Sequence, residues 1–157
     1  MESSEKITKI ENGIVIDHIP TNALWKVIEI LELSKRENGR ISIGTNYSSK
    51  KTNGKKGIIK IEGKTLTTYE MDLIALITPD VTINIIENFE IKEKRYAKIP
   101  TELIGILSCT NKNCISNQTK EKIKSKINFK DNTFNCYYCD QRTTKEEAKI
   151  QILSYRN

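Results

Sequence analysis

The sequence predicts an α+β fold in two parts, and three observations carry that prediction. Residues 1–98 alternate strand and helix signals. Residues 92–100, Lys-Glu-Lys-Arg-Tyr-Ala-Lys-Ile-Pro, form a charged stretch closed by proline. All four cysteines lie beyond that stretch, in a segment with strand-like patterning. The boundary is therefore placed between a front domain, 1–98, and a small β-rich rear domain, 99–157.

The front elements follow in order. Ile14-Val15-Ile16 is β-branched, and Asp17-His18-Ile19-Pro20 closes the strand with a proline. Leu24, Val27, Ile28 and Leu31 recur at helical spacing. Asn38-Gly39 breaks the chain before the alternating run Arg40-Ile41-Ser42-Ile43-Gly44. The polar stretch 48–56 contains Asn53-Gly54 and predicts a hairpin loop, with Ile58-Ile59-Lys60-Ile61-Glu62 returning. Thr67-Thr68-Tyr69-Glu70 has the spacing of a capping box, opening a second helix through Met71, Ile74 and Ile77 that stops at Thr78-Pro79. Val81 to Ile86 is a strand, and Phe89-Glu90-Ile91 reads as a further one, with the following charges as a solvated linker. The order β-α-β-β-α-β with an extension is the ferredoxin-like arrangement. In the rear domain, Ile123, Ser125, Ile127 and Phe129 alternate with Lys122, Lys124, Lys126, Asn128 and Lys130, a half-buried strand with a basic outer face.

Composition narrows the function classes. The chain has 157 residues, 37% hydrophobic and 29% charged, enough for one ordinary or two small domains. No apolar run approaches the ~20 residues that span a bilayer, and the polar start Met1-Glu2-Ser3-Ser4-Glu5-Lys6 is unlike a secretory signal. A cytoplasmic protein is expected. The net charge of +6 is spread over both parts, with 16 basic and 14 acidic residues in 1–98 and 10 and 6 in 99–157. Without a concentrated basic block, charge alone is a weak argument for nucleic acid.

The cysteines are more specific. Cys109-x4-Cys114 and Cys136-x2-Cys139 are two close pairs about twenty residues apart. In a reducing compartment this pattern points to a metal rather than to disulfides. Four thiolates suit one tetrahedral zinc and leave no open position for water, which disfavours a catalytic ion; two disulfides, an iron–sulfur cluster and unpaired core thiols are the competing readings. A segment this short buries too little apolar surface to be comfortably stable alone. Structural zinc supplies roughly 10–16 kcal/mol of apparent binding energy to such a module. The polar loop Thr110-Asn111-Lys112-Asn113, held at both ends by ligands, suits a docking surface, and would suit a phosphate contact too.

Catalytic machinery is not found. There is one histidine, His18, no cysteine outside the metal set, no P-loop and no dinucleotide glycine signature. Taken singly, Asp17-His18 reads as a strand-end pair and Lys60 as an outward strand residue.

Taken together and in order, four segments are informative: Gly13-Ile14-Val15-Ile16-Asp17-His18-Ile19-Pro20, Ile58-Ile59-Lys60-Ile61-Glu62, Thr82 to Glu90, and the loop from Cys109 to Cys114. They resemble the regulatory chain of aspartate carbamoyltransferase, from about residue 7 to the end. The resemblance implies a non-catalytic subunit of pyrimidine biosynthesis whose front domain binds the nucleoside triphosphates CTP, UTP and ATP. It implies that Asp17 and Lys60 contact the ribose, with Lys60 also near the base. His18 and Lys94 would face the phosphates. The backbone around Ile10 and Phe89 would read the base edge, with Asn84, Ile86 and Ile91 lining the pocket. It further implies a dimer of front domains extending one sheet across a two-fold axis. The zinc domain would dock on a catalytic chain through Asn111, Lys112, Asn113 and Asp140, with six regulatory and six catalytic chains in the assembly. Departures from the familiar bacterial form are residues 7–9, Ile-Thr-Lys, Phe89 where tyrosine is often found, Thr110 for proline, and a shorter gap between the cysteine pairs.

Two other classes stand beside this one. A nucleic-acid-binding zinc protein would use the lysine row, and a free-standing sensor of small molecules would use the front domain alone.

Overall fold

The computed structural model describes residues 9–36, 39–50 and 54–154. Ile7, Thr8, Asn38 and Asn53, all used above, lie outside the described residues. The chain divides into two compact units, residues 1–98 and 99–157.

In the front unit, β1 (Gly13–Pro20), α1 (Leu24–Ile30), β2 (Ile41–Ser49), β3 (Gly54–Glu62), α2 (Thr68–Ile77), β4 (Thr82–Glu87) and β5 (Glu90–Tyr96) follow in order. The antiparallel sheet runs β2-β3-β1-β4-β5. Its first four positions are the ferredoxin-like order, and β5 is the added edge. Strand alternation assigns the two faces. Ile14, Ile16, Ile59, Ile61 and Ile83 point to the helix side and are essentially inaccessible, as are Leu24, Val27, Leu73 and Ile74 from the helices. Gly57 belongs to that face, and a Cβ there would crowd the Leu24 methyls. The opposite face carries Val15, Asp17, Lys60, Thr82 and Asn84.

Local chemistry explains the element ends. Thr67 Oγ1 accepts from Glu70 N–H at 3.1 Å while Glu70 Oε1 accepts from Thr67 N–H at 3.1 Å, the reciprocal capping box the sequence predicts for α2. At Gly13, with φ of 149°, a Cβ would strike the Ile61 carbonyl, so only glycine lets β1 start against β3.

The rear unit holds β6 (Glu102–Ile104), β7 (Lys126–Lys130), β8 (Thr133–Cys136), β9 (Arg142–Thr143) and α3 (Lys145–Ser154), with a four-stranded sheet in that strand order. Asp131 and Asn132, φ 50° and 64°, make the two-residue turn between β7 and β8, the geometry that matches strand twist.

Four details differ from the sequence reading. The hairpin loop expected over 48–56 is shorter, because β2 reaches Ser49 and β3 already begins at Gly54. The charged stretch read as a linker is strand as far as Tyr96, because its backbone pairs with β4 from Glu87↔Glu90 to Thr82↔Tyr96. The basic strand expected from residue 122 begins only at Lys126, and Lys122 has a φ of 51°. Helix α3 was not expected. Thr144 and Glu147 cap its start, with Glu147 N–H donating to Thr144 Oγ1 at 3.1 Å, and Ala148 and Ile152 bury one side.

Candidate ligand cavity and metal centre

The open face of the front sheet holds a cavity of about 470 Å³, a size that suits a small-molecule ligand. It is lined by Ile10, Asp17, His18, Lys60, Asn84, Ile86, Phe89, Ile91 and Lys94, together with Lys9, Val15, Lys56 and Thr82. The first nine are the candidates singled out from the sequence, so the fold brings all of them to one place. Of the last four, Lys9 was named only as a departure from the familiar bacterial form, and Val15, Lys56 and Thr82 were missed. Strand parity could have found three, since Lys56 lies four residues before Lys60, and Val15 and Thr82 two before Asp17 and Asn84.

A bulge positions the polar end. The β1–β3 register shifts between Ile16 and Ile19, leaving Asp17 and His18 as the irregular residues, and His18 takes a φ of 60°. Asp17 Oδ1 accepts the His18 N–H at 2.6 Å. His18 Nδ1 lies 3.1 Å from Thr82 Oγ1. Lys56 Nζ lies 3.0 Å from Asp17 Oδ1. Lys60 retains only 6% of its exposure. Burial lowers its pKa below the ordinary 10.5, with Asp17 opposing that shift and Lys9 adding to it. Four lysines and one histidine surround a single carboxylate, a balance suited to a polyanion.

Asn84 adds a discriminating group. Among the described residues its Oδ1 is buried without a hydrogen-bond partner. An orphan acceptor in a cavity wall fits a ligand that brings a donor. The Phe89 N–H, by contrast, is committed to the Glu11 carbonyl at 3.0 Å.

In the rear unit the four sulfurs of Cys109, Cys114, Cys136 and Cys139 lie within 4.8 Å of one another. Cys109 and Cys139 are 3.5 Å apart, Cys114 and Cys136 3.6 Å. Tetrahedral zinc with sulfur at about 2.3 Å requires sulfurs about 3.8 Å apart, so the set fits one zinc ion with little adjustment. Burial pushes the Cys109 thiol up. Burial also opposes ionisation of Cys114, but hydrogen bonding with Ser116, whose Oγ is 3.1 Å from the sulfur, brings its pKa down to about 7.

Supporting bonds surround the sulfurs, and they change the meaning of one expected contact residue. Asn111 N–H donates to Cys109 Sγ at 3.4 Å and its Nδ2 to Cys139 Sγ at 3.7 Å, while Asn117 Nδ2 donates to the Cys109 and Asn111 carbonyls. Asn111 is thus engaged with the metal ligands themselves. Lys112, Asn113 and Asp140 are exposed. Asn117 and Ser116 were not identified from the sequence, because polar residues between cysteines carry no periodic signal.

Among the described residues no helix is long and apolar enough to cross a membrane. Comparison with known proteins agrees with this two-part anatomy. The family model described as aspartate carbamoyltransferase regulatory chain, allosteric domain, matches residues 5–98, and the metal binding domain of the same regulatory chain matches residues 101–149. A Thermococcus gammatolerans protein named aspartate carbamoyltransferase regulatory chain is 43% identical over 143 residues, covering 90% of this chain and 94% of the relative. Relatives of the same name from Metallosphaera sedula and Porphyromonas gingivalis are 41% and 40% identical, covering 98% and 92% of this chain and 98% and 95% of their own lengths. With both domains matched and these relatives covered almost end to end, the chain belongs to the aspartate carbamoyltransferase regulatory chain family.

Proposed function

We propose that this chain is the non-catalytic subunit that senses CTP, UTP and ATP for an aspartate carbamoyltransferase of cytoplasmic pyrimidine biosynthesis. The observation that carries the reading is the convergence of Asp17, His18, Lys60, Asn84 and Lys94 on one cavity of triphosphate-compatible size and charge. Lys94 and His18 hold the phosphates, Asp17 and Lys60 the ribose, and Asn84 Oδ1 accepts a hydrogen bond from the ligand. Lys9 and Lys56, which also line the cavity, add to its positive charge. Phosphate gives affinity common to all three nucleotides, and the few directional groups give discrimination.

The zinc unit braces a docking surface for the catalytic chain, with Lys112, Asn113 and Asp140 facing the partner and Asn111 fixing the loop that presents them. The front unit pairs with a second copy through β2. That edge, Ile41 to Ser49, contains no charged residue and exposes Ile43, whereas the β5 edge carries Glu90, Lys92, Glu93, Lys94 and Arg95. Edges guarded by charge resist pairing and unguarded ones invite it. Nucleotide occupancy shifts a quaternary equilibrium by its differential affinity for the two states, with coupling of about 1–3 kcal/mol.

Calorimetric titration of the full chain with CTP, UTP and ATP tests the site. Lys60→Ala and Lys94→Ala each weaken every nucleotide by roughly tenfold, the scale of one charge-assisted hydrogen bond. Unchanged affinities in both variants overturn the assignment.

A further inference from the structure

The chain entering the metal centre is held by a side chain of the last helix. Ser108, directly before the ligand Cys109, belongs to no strand or helix. Its N–H donates to Gln151 Oε1 at 2.6 Å, and its carbonyl accepts from Gln151 Nε2 at 3.0 Å. One amide side chain thus satisfies both backbone groups of one residue, as a neighbouring strand would. The two residues are 43 positions apart in the sequence.

Helix α3 is fixed at its other end to the second ligand pair. Thr143, two residues before it, is 3% exposed and pairs with Phe134 on β8, the strand that ends at Cys136. Ala148 and Ile152 are buried, and Gln151, three residues beyond the first of them, lies on that same side. The helix therefore spans the centre, tied to β8 through its start and to the approach of Cys109 through its last turn. Bonds inside the first loop act more locally. Ser116 and Asn117 join residues of that loop to one another, while Asn111 Nδ2 reaches Cys139 Sγ at the longer distance of 3.7 Å. The matched metal binding domain stops at residue 149, so Gln151 stands beyond it.

We propose that Gln151 is a positioning residue for the zinc centre, fixing the chain that enters Cys109 so that the first ligand pair stays in register with the second. A four-thiolate site needs all its sulfurs in place at once, and the groups behind the ligands set how firmly they hold. Glutamine is suited to the task because it carries a donor and an acceptor side by side. The inference rests on the metal centre and is independent of the nucleotide cavity.

The test uses the full-length, zinc-loaded chain. It measures zinc transfer to a colorimetric chelator and, separately, the order in which iodoacetamide labels the four cysteines. Gln151→Ala removes both bonds, and Gln151→Glu keeps the acceptor for the Ser108 N–H but loses the donor to its carbonyl. Ile127→Val trims the buried core on β7 and leaves the clasp alone, so it reports what a plain loss of stability does. In wild type the half-buried Cys139 is labelled first, the other three being buried. Gln151→Ala releases zinc about tenfold faster, the lower end of what groups behind metal ligands contribute, and its Cys109 and Cys114 are labelled ahead of Cys139. Gln151→Glu releases zinc at a rate between the two, and Ile127→Val keeps the wild-type labelling order. Wild-type release from Gln151→Ala overturns the positioning role. Faster release with the labelling order unchanged, or with the same new order in Ile127→Val, also overturns it, since the glutamine then contributes stability alone. Wild-type chain that holds no zinc refutes the metal centre itself.

Discussion

Lys56 and Asp17 form an ion pair inside the ligand cavity, with Nζ 3.0 Å from Oδ1 and 3.3 Å from Oδ2 and side chains only 9% and 17% exposed. The carboxylate expected to meet a ribose therefore already has a cationic partner on β3. Removing the lysine leaves a largely buried carboxylate without it. Lys56→Ala should cost about 1.5–3 kcal/mol in urea unfolding. In the double-mutant cycle with Asp17→Asn, most of that loss disappears as a coupling term.

Lys60 gives a pH signature. Its pKa is lowered by burial, so the folded protein holds that proton less tightly than the unfolded chain does. Below the lowered value both states are charged, and the full burial penalty opposes folding. As pH rises from that value toward 10.5 the penalty is relieved. Lys60→Met should therefore raise the melting temperature of the ligand-free protein at pH 7, with the gain shrinking in alkaline buffer. The same variant should bind nucleotide less tightly. Thermal scans at a series of pH values check the first statement, and a pH-independent gain would contradict it.

The sequence made this site legible as a set of residue types but not as a closed list. Asp17, Lys60 and Asn84 lie in recognisable strands, so period-two alternation puts them on one face. Their role, like that of Lys94, was identified only through family likeness. Strand β5 is exposed on both faces along its whole length, so no burial pattern marks it as a strand; its backbone pairing with β4 does. Thr82 and Lys56 were passed over because their importance comes from neighbours distant in sequence, His18 for the threonine and Asp17 for the lysine. The four cysteines were fully legible, since short spacing alone brings each pair together. Helix α3 was not, because only Ala148 and Ile152 are buried in it.

Metal removal should act on one unit only. Chelation, or Cys139→Ser, should unfold residues 99–157 while the front sheet keeps its dispersed amide spectrum. The zinc contribution of roughly 10–16 kcal/mol exceeds what so small a core supplies. Elemental analysis should find one zinc per chain.

Capping by Thr67 can be measured directly. Thr67→Ala removes the acceptor for the Glu70 N–H and the reciprocal geometry with it. The expected loss is about 1 kcal/mol, read as a shift of the urea midpoint with unchanged slope. A loss below a quarter of that would mean Lys64, 3.0 Å from Glu70, holds the turn by itself.

Pairing through β2 is tested at its exposed centre. Ile43→Lys should convert a dimer to a monomer in light scattering while leaving nucleotide affinity nearly intact, since Ile43 is absent from the cavity lining. A dimer that persists moves the interface elsewhere.

Strand β4 has a double allegiance. Thr82, Asn84 and Ile86 look into the ligand cavity, while Ile83, interleaved between them, is packed beneath the helices with 1% exposure. A molecule held at Asn84 thus rests on the same strand that buries Ile83 in the oily layer on the reverse side. One ribbon of backbone therefore furnishes both the cavity wall and the packed core.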